Sequence, residues 1–299
     1  MSNRGVWMGA GAYLMWGFFP AYFKALQAVP PLQILFHRVV WSFFFLTVVV
    51  VVIKREWQAF KQAIMNRRVI AVYAIAGVLL AINWGTYVWA VNAGFVVETS
   101  LGYFINPLVS VALGVIFLGE RLRPAQWIPV ALAAAGVLYL TLQVGSLPWI
   151  ALVLASSFGL YGLMKKVSPL GSLYGLTIET GVLFLPGLAF LVFAESQGVG
   201  AFGHVSWVST LLLVLVGVVT ATPLLMFATA AKSIPLWMVG LLQYIAPTCQ
   251  FLLGVFAYGE PFSSTQLIGF SIIWAALLLF TLEGFAARRK PATQPAASR

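Results

Sequence analysis

Uncharged stretches as long as a bilayer crossing recur along this chain. Val69–Asn92, Thr99–Leu118, Ala125–Val144 and Val208–Ala231 carry no Asp, Glu, Lys or Arg. A helix needs roughly 20 apolar residues to cross the hydrocarbon core. Inside lipid every backbone N–H and C=O must be satisfied within the protein, which leaves helices or closed barrels. A barrel alternates polar and apolar residues over short segments; Val48–Val52 and Ala131–Val137 do not alternate. Only 8% of the residues are charged, against about a quarter in soluble domains. The expected class is an all-α integral membrane protein.

One of these stretches occurs twice. LGYFINPLVSVALGVIFLGE at Leu101–Glu120 matches LLQYIAPTCQFLLGVFAYGE at Leu241–Glu260. At a constant offset Ile105 falls on Ile245 and Pro107 on Pro247. Leu113-Gly114-Val115 falls on Leu253-Gly254-Val255, and Gly119-Glu120 on Gly259-Glu260. Apolar composition alone does not bring a mid-segment Pro, a packing Gly and a terminal Gly-Glu into register. The pattern is that of an internal duplication, and in membrane proteins similar halves mark transporters built from repeats.

Ten spans are expected, at about Val6–Leu26, Leu32–Ile53, Val69–Asn92, Thr99–Leu118, Ala125–Val144, Trp149–Met164, Ser172–Phe193, Val208–Ala231, Leu236–Tyr258 and Thr265–Phe285. The apolar segment after Arg4 lacks a small-x-small cleavage site and has a counterpart later in the chain, so it is expected to be a retained helix. With the N-terminus inside, the connecting loops on the cytoplasmic side receive all but Lys24 and Arg38 of the 17 Lys and Arg. That partition follows the positive-inside rule. It also explains the net charge of +10 without a nucleic-acid partner. Five spans per half is an odd number, so the halves are expected to be inverted repeats around a central cavity. Residues 1–145 form the first and 146–287 the second, followed by a disordered cytoplasmic tail, 288–299. Both termini are expected in the cytoplasm of a cell with this protein in its inner membrane.

The paired motifs, Trp16-Gly17, FHRVVWS at Phe36–Ser42, NWGTYVWAVNAG at Asn83–Gly94, ETSLGYFINPL at Glu98–Leu108 and LLQYIAPT at Leu241–Thr248 resemble the RarD-type permeases of the EamA family, in the drug/metabolite transporter superfamily. The resemblance covers nearly the whole chain. It implies a ten-helix basket whose cavity is lined by spans 1, 3, 4, 6, 8 and 9, with 5 and 10 peripheral. It also implies kinship with exporters of amino acids and other small metabolites.

The residues exclude some chemistries. There is no GxxxxGK[ST] phosphate loop, no Asp, and only His37 and His204. No metal site, cofactor or catalytic residue is therefore expected, and a membrane enzyme is disfavoured. Cys249 is the sole cysteine, so no intrachain disulfide can form. The expected function is secondary-active transport, with export the favoured direction, of small amphipathic or amino-acid-like metabolites or drugs. A non-coupled pore or lipid scramblase is the alternative.

Candidate substrate-binding residues are Trp16, Asn83, Trp84, Tyr87, Tyr103, Asn106, Tyr161, Gln243 and Tyr244, with Tyr13, Ser157 and Thr222 beside them. Aromatic walls with a few amides and hydroxyls are the make-up of a small-molecule pocket; the same residues can serve as helix-stitching contacts. Pro107 and Pro247 are candidate hinges, or static kinks, because each leaves a carbonyl free. Arg38 and Glu179 occupy equivalent places in the two halves, roughly 9–10 Å below opposite faces. Intramembrane charges are functional by default. Arg38 is a candidate site for a substrate carboxylate. Glu179 is a candidate coupling site for protons or a substrate amine. Either can instead pin its helix to a neighbour. The partners expected are a small-molecule substrate, the lipid bilayer and protons.

Overall fold

A computed structural model describes residues 3–53, 57–144, 148–259 and 264–289. The expected repeat junction at 145–147, Glu260 and the tail from 290 onward lie outside them. Every regular element among the described residues is helical. The first expected span is two helices, α1 (Asn3–Gly17) and α2 (Phe19–Lys24). Pro20 explains the break at Phe18: it offers no N–H to the carbonyl four residues back, which is that of Trp16. That carbonyl instead accepts from Gln250 Nε2 at 3.1 Å.

Helix α3 (Pro31–Val48) runs on through a wider turn to Ile53. A short helix the span pattern did not predict, α4 (Trp57–Met65), follows. It is too short to cross a bilayer, and it sets Phe60 and Ile64 against Val50, Tyr73 and Ile178. Asn66 then caps α5 (Arg67–Asn92), its side chain accepting from the amides of Arg68 and Val69 at 3.0 and 3.4 Å, the preferred way to satisfy a helix's first donors.

Helix α6 (Val96–Leu118) passes through Pro107 unbroken and ends at Gly119, whose φ of 63° is left-handed. Next come α7 (Trp127–Val144), α8 (Trp149–Val167), α9 (Ser172–Ser196) and α10 (Trp207–Ser233). The ninth expected span divides into α11 (Leu236–Leu242) and α12 (Ile245–Leu252), with a wider turn to Ala257. Pro247 again accounts for the break, because the Gln243 carbonyl cannot receive its N–H and accepts from Ala246 instead, at 3.2 Å. The last helix is α13 (Ser264–Arg289).

Eight helical segments among the described residues are long and apolar enough to cross a membrane; Leu267–Glu283 is a shorter apolar one. Trp7, Ile116, Phe117, Trp207 and Phe256 are each at least 66% exposed, a surface that suits lipid. The protein is a multi-pass helical membrane protein.

The helices fall into two compact units, and these cut across the halves of the sequence. One contains α1–α6 and α8–α12; the other contains α7 and α13. In the first, elements of opposite halves interdigitate: α6 packs on α8 and α11, α1 on α10, and α3 on α9 and α10. In the second, α7 meets α13 closely where Gly136 faces Ile272, and Arg123 pairs with Glu283 at 2.7 Å.

Close approach in the first unit depends on small residues. At Gly217 of α10, a Cβ would lie 2.4 Å from the carbonyl carbon of Trp41, and Ser42 Oγ donates to the Gly217 carbonyl at 3.0 Å. Backbone cannot yield as a side chain does. Gly217→Ala is expected to cost about 1–3 kcal/mol, read as a lower melting temperature in detergent; an unchanged melt would show that α3 and α10 can separate freely.

Candidate substrate cavity

Helices α1, α2, α3, α5, α6, α8, α10 and α12 surround a cavity of about 270 Å³, every lining residue belonging to the first unit. It lies toward one end of the bundle, where α1 and α5 finish and α3, α6 and α8 begin. Of the expected residues, Trp16, Asn83, Trp84, Tyr87, Tyr103, Asn106, Gln243 and Pro247 line it, together with Tyr13 and Arg38. Tyr87 and Tyr103, each 37% exposed, lie 5.9 Å apart by ring centroid. Opposite them Trp16 meets Phe158 edge-on at 5.8 Å.

Arg38 is the cavity's cation. Its guanidinium lies 4.2 Å from the Trp84 ring centroid and 5.5 Å from that of Phe23, a cation–π arrangement that strengthens when dry. Arg38 Nε donates to Thr220 Oγ1 at 3.1 Å. Among the described residues no carboxylate pairs with it, and its two terminal amino groups carry no protein hydrogen bond. Those groups form the fork that grips a carboxylate in bidentate fashion.

Deeper along α6, Tyr13 OH and the Gln243 side chain interact, and Asn106 Oδ1 is buried without a partner among the described residues. Gln243 Nε2 donates to Ser110 Oγ at 2.9 Å. Buried polar groups are almost always bonded, so the Asn106 oxygen is an acceptor that a ligand donor can satisfy. Asn83 is different. Its amide donates to the Leu154 carbonyl at 2.9 Å and Ser157 Oγ at 3.1 Å, so it ties α5 to α8.

Comparison with known proteins decides the family. Residues 3–142 match the EamA-like transporter family. The chain is 49% identical over 284 residues to an uncharacterized transporter, YojE, of Bacillus subtilis, covering 94% of each protein. It is 44% identical over 297 residues to the protein RarD of Streptomyces exfoliatus, covering 99% of this chain and 94% of that one. This chain belongs to the EamA-like transporter family, among its RarD-type permeases. A crystal structure of a protein 18% identical superposes with a TM-score of 0.69, covering 96% of this chain and 99% of that one, which shows that the fold is shared.

The opposite end of this EamA transporter's first unit holds buried charge. Lys165 Nζ lies 2.7 Å from Glu179 Oε1, and Tyr161 OH donates to Glu179 Oε2 at 3.1 Å. Lys165 is 1% exposed and Glu179 0%. Lys165 is therefore not the loop charge that the count of basic residues took it for. Tyr161 serves this cluster and is absent from the cavity lining. Lys232 donates to the Ser168 carbonyl at 2.7 Å and to that of Leu170. Arg38 and Glu179, equivalent in sequence, thus have separate partners.

Three further expected residues stand away from the cavity. Tyr244 is buried and donates to the Phe104 carbonyl at 3.3 Å. Thr222 donates to its own helix at Val218. Pro107 lies inside α6 with its carbonyl toward Gly240.

The repeated Gly-Glu proves to be a local device in its first copy. Gly119 turns the chain back, and the Glu120 carboxylate accepts from the amides of Leu236 and Trp237 at 2.7 and 3.0 Å. It thereby caps α11. A Cβ on Gly114 would sit 2.5 Å from that carboxylate, which is why the motif needs glycine there.

Proposed function

We propose that this EamA transporter is a secondary-active carrier, working in the export direction, of small amphipathic metabolites, amino-acid-like compounds or drugs. The observation that carries the reading is the aromatic cavity with an unpaired Arg38 at one end of the bundle and a buried ion pair toward the other. A carrier binds its substrate from one side at a time. Such a cavity on one side, with the Lys165–Glu179 pair beyond it, is one half of that cycle.

The inverted repeat fits this scheme. Gly119 and Gly259 share nearly the same left-handed turn, with φ of 63° and 64°, in copies of one motif. In this reading ten spans cross an inner membrane with both termini in the cytoplasm. The Arg38 end then opens outward and the Lys165–Glu179 end inward. Opening the inner end requires parting Lys165 from Glu179, and proton arrival at Glu179 supplies the means. Pro247, at the α11–α12 break on the cavity wall, and Pro107, within the unbroken α6, are the proposed hinges.

Counterflow of a metabolite panel in proteoliposomes tests the reading. A carrier shows saturable uptake that preloaded substrate accelerates; flux without saturation would mean a pore. Reporter fusions test the orientation. Those after Ile53, Leu122 and Met164 are expected to report cytoplasm, and those near Pro30, Ser146, Gly200 and Ser263 the outside. A cytoplasmic signal at Ser263 would break the inverted topology.

A further inference from the structure

The cavity has two poles of different chemistry. At one, the Arg38 guanidinium lies against Trp84 with its terminal amino groups unbonded. At the other, Asn106 Oδ1 is buried without a partner among the described residues, and the Tyr13 and Gln243 side chains, which interact, also line the cavity. Tyr103, on the wall facing Arg38, and Asn106 are three residues apart on α6, hence on one face and ~4.5 Å apart along the axis. Among the described residues no Asp or Glu lines the cavity. Glu98, in the first turn of α6, is not among the lining residues; its Oε2 is buried without a hydrogen-bond partner, and the helix dipole suits its charge.

We infer that the cavity selects a net monoanion, a small carboxylate with an apolar or aromatic body and a neutral hydroxyl, over a zwitterion or an amine. This rests on the carrier reading above and narrows its substrate class. One cation balances one carboxylate. A ligand ammonium would enter the same enclosed space without a counter-charge, and an unpaired charge out of water is costly. A hydroxyl can donate to the Asn106 amide oxygen without adding charge. At roughly 30 Å³ per water the cavity, about 270 Å³, holds the equivalent of some nine waters, the scale of an amino-acid-sized molecule.

The test is equilibrium binding to the purified full chain in detergent, by titration calorimetry, with four probes that share one ring. These are 3-phenyllactate, 3-phenylpropionate, phenylalanine and phenethylamine. Expected is 3-phenyllactate tighter than phenylalanine by about tenfold or more, 3-phenylpropionate between them and phenethylamine weakest. Arg38→Gln is expected to erase the advantage of 3-phenyllactate over phenethylamine. Asn106→Asp supplies the missing counter-charge and is expected to turn the preference toward phenylalanine; if that variant does not fold, Gln243→Glu asks the same question. The inference is overturned if phenylalanine binds as tightly as 3-phenyllactate, if 3-phenyllactate does not bind, or if Arg38→Gln leaves its affinity unchanged. The binding order with no counterflow would sink the carrier reading and leave the selectivity standing.

Discussion

Glu179→Leu is expected to destabilise the protein by about 3–5 kcal/mol, because removing one partner of a buried ion pair strands the other. Lys165 is 1% exposed and its ammonium has Glu179 at 2.7 Å; with the carboxylate gone it meets no water to replace it. The double change Glu179→Leu with Lys165→Met is expected to recover most of the loss, since matched apolar side chains often equal a buried pair. It will not recover all, because Tyr161 OH loses its acceptor, at about 1–3 kcal/mol for an unsatisfied buried group. Thermal melts of the three proteins in one detergent measure this; a single variant as stable as wild type would show that the pair does not hold α8 to α9. Glu179→Gln separates stability from coupling. It keeps shape and hydrogen bonding but cannot exchange a proton. On the proposed mechanism it abolishes proton-driven accumulation while substrate exchange continues in part. Accumulation with the wild-type pH dependence would make Glu179 purely structural.

The reason sequence reasoning placed Glu179 correctly in its helix yet missed its partner is physical. Positive-inside counting treats every Lys near a span end as a loop charge, so Lys165 and Lys166 were both assigned to the cytoplasmic loops. The structure continues α8 to Val167 and turns Lys165 inward. A signal was present: Tyr161 and Lys165 are four residues apart, on one helix face, and both bond Glu179. Spans with long unbroken apolar runs, α5 and α10 among them, were legible because length and hydropathy alone define them. The breaks in the first and ninth spans were not, although Pro20 and Pro247 announce them, since a proline can equally bend a helix that stays whole. Pro107 sits within α6, which stays whole. Much of the cavity was legible as a composition of Trp, Tyr and amide residues on the right helices. Its phenylalanine wall, Phe19, Phe23 and Phe158, was not, because Phe facing a cavity and Phe facing lipid look alike in sequence. Which tyrosines turn toward the cavity, as Tyr103 does, and which are spent on helix contacts, as Tyr244 is, depends on rotations of less than a turn.

Trp84→Ala is expected to be as damaging as loss of the buried ion pair, for two separable reasons. The ring packs against the main core, beside Leu80 and Tyr161, and truncating such a ring costs about 3–5 kcal/mol where it is fully enclosed; as Trp84 is half-buried, the lower end applies. The same ring is the platform for Arg38, 4.2 Å from the guanidinium. A cation–π contact contributes about 0.5–2 kcal/mol, more as water is excluded. Without it the guanidinium keeps only the Thr220 bond and the more distant Phe23 and Phe19 rings at 5.5 and 5.9 Å. A side chain with so few restraints presents its fork in many directions, and a ligand carboxylate must then bear the cost of ordering it. Trp84→Phe separates the reasons. It retains a ring face for Arg38 but leaves a void, so its melting temperature falls while 3-phenyllactate affinity stays within about threefold of wild type, less than 1 kcal/mol. Trp84→Ala lowers both, with affinity reduced about tenfold or more. Affinity in Trp84→Ala equal to that in Trp84→Phe would show that Arg38 is held by Thr220 alone.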